Sequence, residues 1–456
     1  MDRFENISPL DSRYADEKFM PYLSEESRIH YQARVEAALA KALSKKGLCS
    51  SKVASEIAKA AENIKAEEVY AEENITRHDV RALVNCIRKK VSDEAKPFVH
   101  FGATSYDIVD NANALRYREA CEQLILPSLK KLEKTLIEIA LREKKTVQIG
   151  RTHGQHAEPI TFGFAIAGYA NRLGNRISAI EKAKDNLEGK FSGAVGAYNG
   201  LSLFIPNPVE FEKTITQELG LKQCMHSTQV VAPESQLDLL NAAIGAFNVL
   251  ANFADDMRNL QRSEISEVAE AFGAKQVGSS TMPHKRNPIN FENVKSLWKE
   301  FMPRVITFNL DALSDHQRDL TNSASQRFIP ELFAGLVLSA DRLNNACEKL
   351  VVDRQSMQKN FNQSRQGIVA EPLYLLLADQ GHPNAHEYVR EKTLEADKSR
   401  KPLMEIVSSD ASVAKYLSKL SKAQKAILEN PENYIGKAVE KTEQVCSYWK
   451  KQLKLG

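Results

Sequence analysis

Residues Ser235 to Phe272 read SQLDLLNAAIGAFNVLANFADDMRNLQRSEISEVAEAF and contain no proline. Leu237, Leu240, Ile244, Phe247, Leu250, Ala254, Met257 and Leu260 recur every three or four positions, which places them on one stripe of an α-helix. A helix over this stretch would span roughly 50 Å at about 1.5 Å per residue. Inside it, NAAIGAFNVLANFA (241–254) is apolar nearly all round and needs neighbours on several sides. Association of subunits and burial within a monomer account for that equally well.

Working outward, periodic stretches of the same kind run over 107–145 (interrupted at Pro127), 159–188, 288–314 and 330–361. Five long helices suit a bundle. Leucine, alanine, glutamate and lysine are abundant, aromatic residues make up 7%, and alternating β-branched runs are scarce, so the fold class is all-α. Short helices with turn-rich joints precede Asp107, and a more charged helical segment follows Gly367. The reading is therefore an N-terminal helical domain over 1–104, a central long-helix bundle over 105–365 and a C-terminal helical domain over 366–456.

The 62 basic and 59 acidic side chains are interspersed and leave a net charge of +3. No global field for nucleic acid or a membrane surface results, and any preference for anions must be local. The six cysteines are far apart and form no CxxC pair, which points away from a zinc site or a disulfide framework and toward a reducing cytoplasm. The start, MDRFENISPL, is acidic where a signal peptide is basic and apolar. No stretch is expected to reach the length of a membrane span.

The joints between the helices carry the polar chemistry. In GSSTMPHKRNP (278–288), Asn287 and Pro288 resemble an N-cap followed by proline at the first helical position, so the next helix would direct free N–H groups at the loop. Such an end attracts anions, and Lys285 and Arg286 add charge. Alone, the segment fits a capped and solvated basic loop better. GRTHGQHAEPITFG (150–163) places His153 before a helix expected to begin near Pro159, and a histidine exchanges protons near neutral pH. In TRHDV (76–80), Arg77, His78 and Asp79 either cap a helix or form a histidine held by a carboxylate. HFGATSYDIVDNA (100–112) offers Thr104 and Ser105 ahead of Asp107, as a cap, an anion site or both. HQRDLTNSASQR (316–327) supplies Arg318, Ser323 and Arg327, two guanidinium groups and a hydroxyl suited to a phosphate, or simply exposed arginines. His382 and His386 in HPNAH lack the HExxH context of a metal pair.

Taken together, these joints resemble the fumarase/aspartase superfamily and, within it, the adenylosuccinate lyases. The paired serines, Met-Pro, Lys285 and Asn287 look like the superfamily's loop. His284 before the lysine is similar to adenylosuccinate lyases and carboxymuconate cycloisomerases, and RTHGQ favours the former. SPLDSRYA, TRHDV, ATSYDIVDNA, STQVVAPE, QRDLTNSASQR and PENYIGKAVE follow in the family's order along nearly the whole chain. Two positions depart from it: Ser12 where bacterial members often have glycine, and His156 where some have proline. The resemblance implies a three-domain fumarase/aspartase-like fold whose central bundle assembles into a homotetramer with sites shared by three subunits.

The resemblance also implies β-elimination of fumarate from adenylosuccinate, giving AMP, and from a succinylated aminoimidazole carboxamide ribotide. It assigns Ser279 as base and His153 as acid, with His78 assisting and Arg77 and Asp79 beside it. Arg318, Ser323 and Arg327, helped by Arg13 and Tyr14, would take the phosphate. Thr104, Ser105, Lys285 and Asn287 would take the succinyl carboxylates, with Gln229 close to them. No metal or organic cofactor is implied. The loop from about Gln276 to Asn287 is expected to close over substrate. The rival expectations are another superfamily lyase or cycloisomerase, and a non-catalytic, crystallin-like relative.

Overall fold

A helix needs its first N–H groups satisfied, and the chain supplies a cap at one start after another. Ser24 Oγ accepts the Ser27 N–H at 3.1 Å ahead of helix Glu25–Lys45, and Ser50 does the same for Val53 ahead of Ser51–Glu62. The computed structural model describes residues 5–273 and 275–456. It consists of helices with a few short strands and contains two compact units, each assembled from three stretches of chain. The first comprises 1–130, 175–251 and 294–342; the second, 131–174, 252–293 and 343–456.

In the first unit, helix Glu25–Lys45 buries Ile29, Val35, Leu39 and Leu43 and packs on Ser51–Glu62 and on Ser105–Ala120. Beneath the start of Ser105–Ala120 lies a fully buried ion pair, Lys190 Nζ to Asp107 Oδ1 at 2.5 Å. Asp107 also accepts the backbone N–H groups of Thr104, Ser192 and Gly193, so one carboxylate ties the helix start to the segment 190–193. His100, in the left-handed region at φ 64°, sits close by. Burial opposes its charge, but the Glu36 carboxylate at 2.6 Å outweighs that and raises its pKa.

The second unit holds an antiparallel hairpin, Val147–Thr152 paired with Gln155–Thr161, which packs on helix Arg354–Ile368 through Ile149, Phe361 and Ile368. A bulge falls between Ile149 and Arg151. A Cβ on Gly150 would lie 2.6 Å from the Glu158 carbonyl, so only glycine fits there. The C-terminal helices enclose a separate core that includes Leu373, Leu377, Val407 and Val413.

The helices end where tertiary partners demand it. The stretch expected to be helical over 235–272 forms helix Glu234–Leu260 and stops there. Ser266 then turns through φ 56°, and Glu267 is drawn into a buried polar cluster that a continuing helix would not reach. Pro127 does not interrupt its helix: a wider turn, Cys121–Ile125, joins Ser105–Ala120 to Leu126–Arg142 and makes room for the ring. Pro159 lies in a strand opposite Ile149, and the helix expected from it begins at Phe162. The stretch 288–314 is split at Pro303 into Ile289–Phe301 and Arg304–Leu310. Between helices Ile329–Glu348 and Arg354–Ile368, Val351–Val352 pairs with Val268–Ala269. Contrary to expectation, helix Glu234–Leu260 is long and apolar enough to cross a membrane, but 61% of its most apolar window is buried inside the protein, as in a core helix.

Candidate active site

The first unit contains a cavity of about 630 Å³. Seven of the residues singled out from sequence line it: Arg77, His78, Asp79, Ser105, Arg318, Ser323 and Arg327. They arrive on separate elements. Arg77 ends helix Ala66–Thr76 in the left-handed conformation (φ 56°), His78 caps helix Asp79–Lys89, and Ser105 opens Ser105–Ala120.

The cap fixes the chemistry of His78. Its Nδ1 accepts the Arg81 N–H at 3.3 Å, which leaves the ring proton of the neutral form on Nε2, 3.5 Å from Ser105 Oγ. His78 is thus set up to donate a hydrogen bond, whereas protonating Nδ1 would cost the cap. Asp79 Oδ2 lies 3.5 Å from Arg327 and 3.9 Å from Arg28, and Arg327 also faces Glu25 at 3.9 Å. These pairs are long and partly exposed, so they hold Arg327 only weakly and leave it able to meet an anion.

Arg318 stacks on Tyr106, its guanidinium carbon 3.3 Å from the ring centre, and reaches Gln229 Oε1 at 3.4 Å. Gln229 Nε2 in turn meets Thr104 Oγ1 at 3.4 Å, so Thr104 and Gln229 adjoin the cavity wall. The Val231 N–H donates to Asp110 at 2.8 Å and holds this loop, while burial pushes the Asp110 carboxyl up to about 7. Arg13 and Tyr14 lie in the turn after Ser8–Asp11, outside the cavity lining.

Sequence reading missed several residues of this wall. Arg28 and Gln32, four apart on helix Glu25–Lys45, both face the cavity, and Gln32, 1% exposed, leaves Oε1 without a partner among the described residues. The i, i+4 spacing was a signal; the amide's lack of a partner was not visible in it. Arg116 also lines the cavity, its guanidinium held by the carbonyls of Tyr22, Leu23 and Ser24.

The remaining singled-out residues belong to the second unit. His153 is exposed at the tip of the hairpin, where it and Gly154 form the two-residue turn with φ 53° and 74°. Ser279, half-buried, accepts two backbone hydrogen bonds at Oγ, from Met282 at 3.0 Å and Thr281 at 3.3 Å. Gly278 is required beside it, since a Cβ would lie 2.0 Å from the Lys285 carbonyl. Asn287 does not cap the following helix: its Nδ2 donates to the Gly278 carbonyl at 2.9 Å and closes the loop. Helix Ile289–Phe301 is capped by Glu270, which accepts the N–H groups of Asn290 and Phe291, both at 2.9 Å. That helix end is therefore already occupied, and the donors facing Ser279 are those of its own loop. Lys285 is exposed. His382 and His386 pack on different tyrosines, His382 against Tyr388 and Tyr416 and His386 against Tyr374.

A lyase family model matches residues 11–301, and a model of the adenylosuccinate lyase C-terminal region matches 314–435. The chain is 37% identical over 450 residues to the adenylosuccinate lyase of Pyrococcus abyssi, covering 97% of this chain and 98% of that one. The chain belongs to the adenylosuccinate lyase family. Family members from Archaeoglobus fulgidus and Bacillus subtilis are 35% and 33% identical, covering 98% and 75% of this chain and 100% and 79% of theirs. The fold is shared more widely. A 3-carboxy-cis,cis-muconate lactonizing enzyme from Pseudomonas putida superposes with a TM-score of 0.83 at 23% identity over 97% of this chain and 98% of its own. The C-terminal match and the identity to adenylosuccinate lyases separate this chain from such enzymes, which share its architecture.

Proposed function

We propose that the protein cleaves adenylosuccinate to AMP and fumarate, and cleaves a succinylated aminoimidazole carboxamide ribotide in the same way, with Ser279 as base and His153 as acid. Breaking the carbon–nitrogen bond requires a base for the carbon proton, an acid for the leaving nitrogen and donors for a developing dianion. Serine is an awkward base, because forming its alkoxide at neutral pH costs on the order of 8 kcal/mol at about 1.4 kcal/mol per pK unit. The observation that carries the reading is the Ser279 Oγ facing the N–H groups of Thr281 and Met282 in a chain so like adenylosuccinate lyases over its length. Two such donors are worth about 3 kcal/mol each in a site closed to water, which offsets most of that cost. Lys285, on the same loop, adds positive charge to the site when the loop closes over substrate.

By likeness to the family, His153 on the exposed hairpin turn takes the acid role, and His78, whose Nδ1 is engaged by the Arg81 N–H, donates a hydrogen bond from Nε2 to the substrate. Arg318, Ser323 and Arg327, with Arg13 and Tyr14, take the phosphate; Thr104, Ser105, Lys285 and Asn287 take the succinyl carboxylates with Gln229 close to them, and Arg77 and Asp79 line the remainder. No cofactor takes part. We place the enzyme in the cytoplasm as a homotetramer in which three copies contribute to each site, and we retain the division into 1–104, 105–365 and 366–456. The test is direct: incubation with adenylosuccinate, followed by absorbance and by chromatography of products. Equimolar fumarate and AMP are expected; failure of the purified protein to release fumarate rejects the function.

A further inference from the structure

Two carboxylates with no role in the chemistry above lie three residues apart in the second unit, between helix Glu234–Leu260 and the serine loop. Glu267 is fully buried. Arg151 donates to both its oxygens, at 2.6 and 3.2 Å, Gln148 Nε2 donates at 2.7 Å and Asn360 Nδ2 at 2.8 Å. Arg151 and Gln148 belong to the first strand of the hairpin. The bulge at Gly150 resets the alternation of side chains there and turns Arg151 toward Glu267. His153 follows two residues later. Glu270, 7% exposed, accepts the Asn290 and Phe291 N–H groups and Asn290 Nδ2 at 2.6 Å, which joins the two ends of the serine loop. Between the two carboxylates, Val268–Ala269 pairs with Val351–Val352.

We propose that Glu267 is a positioning residue for the acid: through its fork with Arg151 it fixes the hairpin stem and so aims the His153 turn, while Glu270 on the same strap holds the base of the Ser279 loop. The proposal rests on His153 as acid and Ser279 as base. The physical basis is that a two-residue turn has no support beyond its stem. The stem's other anchor, His156 Nδ1 to Ser364 Oγ at 2.7 Å, is on the opposite strand and keeps the hairpin docked when the fork is lost. A bidentate carboxylate–guanidinium pair sets an angle that a single hydrogen bond does not.

The test is a double-mutant cycle on adenylosuccinate cleavage with Glu267→Gln and His153→Ala, reading kcat, KM and the pH profile. Glu267→Gln is expected to lower kcat at least tenfold with KM within threefold, to shift the limb of the kcat profile that reports the acid, and to cause no further loss in the His153→Ala background. Glu270→Gln, acting on the serine side, is expected to cost the same factor in both backgrounds. If Glu267→Gln does not fold, Arg151→Lys keeps the charge without the fork and reads the same coupling. An unchanged kcat, or an equal loss with and without His153, overturns the proposal. A wild-type rate for His153→Ala alone would instead remove the acid assignment beneath it.

Discussion

At Glu133 both carboxylate oxygens are buried without a hydrogen-bond partner among the described residues, and burial alone pushes the group up to about 9. The folded protein therefore holds this proton more tightly than the unfolded chain. Its contribution to stability is fully present below the unfolded value near 4.5 and is lost as pH rises toward 9, at about 1.4 kcal/mol per unit. Glu133→Gln should flatten that slope and stabilise the protein at pH 8 relative to the parent, as measured by chemical denaturation at several pH values. Gln32 poses a related case, with its Oε1 desolvated and unmatched at the cavity wall. Gln32→Met is expected to raise the stability of the free protein by about 1 kcal/mol, because it removes a buried polar atom that has no hydrogen-bond partner among the described residues. A melting temperature lower than the parent's would show that the amide is satisfied.

Helix Ser105–Ala120 begins over the Lys190–Asp107 pair, so the element that carries Thr104 and Ser105 depends on a buried charge being matched. Lys190→Met should cost about 3 kcal/mol by leaving the carboxylate unpaired, and adding Asp107→Asn should recover part of the loss. The serine loop makes a different prediction. Backbone amides over 276–287 should exchange more slowly with deuterium when substrate is bound, and an unchanged rate would count against closure. Much of this was legible in the sequence. The apolar stripe from Leu237 to Leu260 indicates the long helix, and the polar joints point to the residues lining the cavity. What was not legible depends on partners distant in sequence. Glu267 ends the long helix to meet Arg151, which lies 116 residues away. Pro159 looked like a helix start, but it sits in a strand whose pairing with Ile149 is set across the hairpin. Asn287 has the form of an N-cap, yet Glu270 performs that task and frees the amide to close the loop.

For the whole molecule, Ile306 and Leu310, four apart on helix Arg304–Leu310, expose 64% and 61% of their surface, and Leu313, Leu320 and Phe328 beyond it are exposed as well. Exposed apolar side chains of this kind mark a surface open to a partner. If copies share sites, mixing inactive Ser279→Ala and His153→Ala proteins should restore part of the activity through hybrid assemblies, and mixed tetramers that stay inactive would argue against sharing. In the function proposed above, the phosphate is held by arginines lining the cavity of the first unit, and proton abstraction falls to one serine of the second. The measurement that tests this division most directly is titration calorimetry of Ser279→Ala with adenylosuccinate, paired with its single-turnover rate. Binding within about fivefold of the substrate's apparent affinity for the parent is expected, with cleavage slowed at least a thousandfold, the scale of losing a catalytic base together with its activated oxygen. Cleavage within tenfold of the parent would contradict this division.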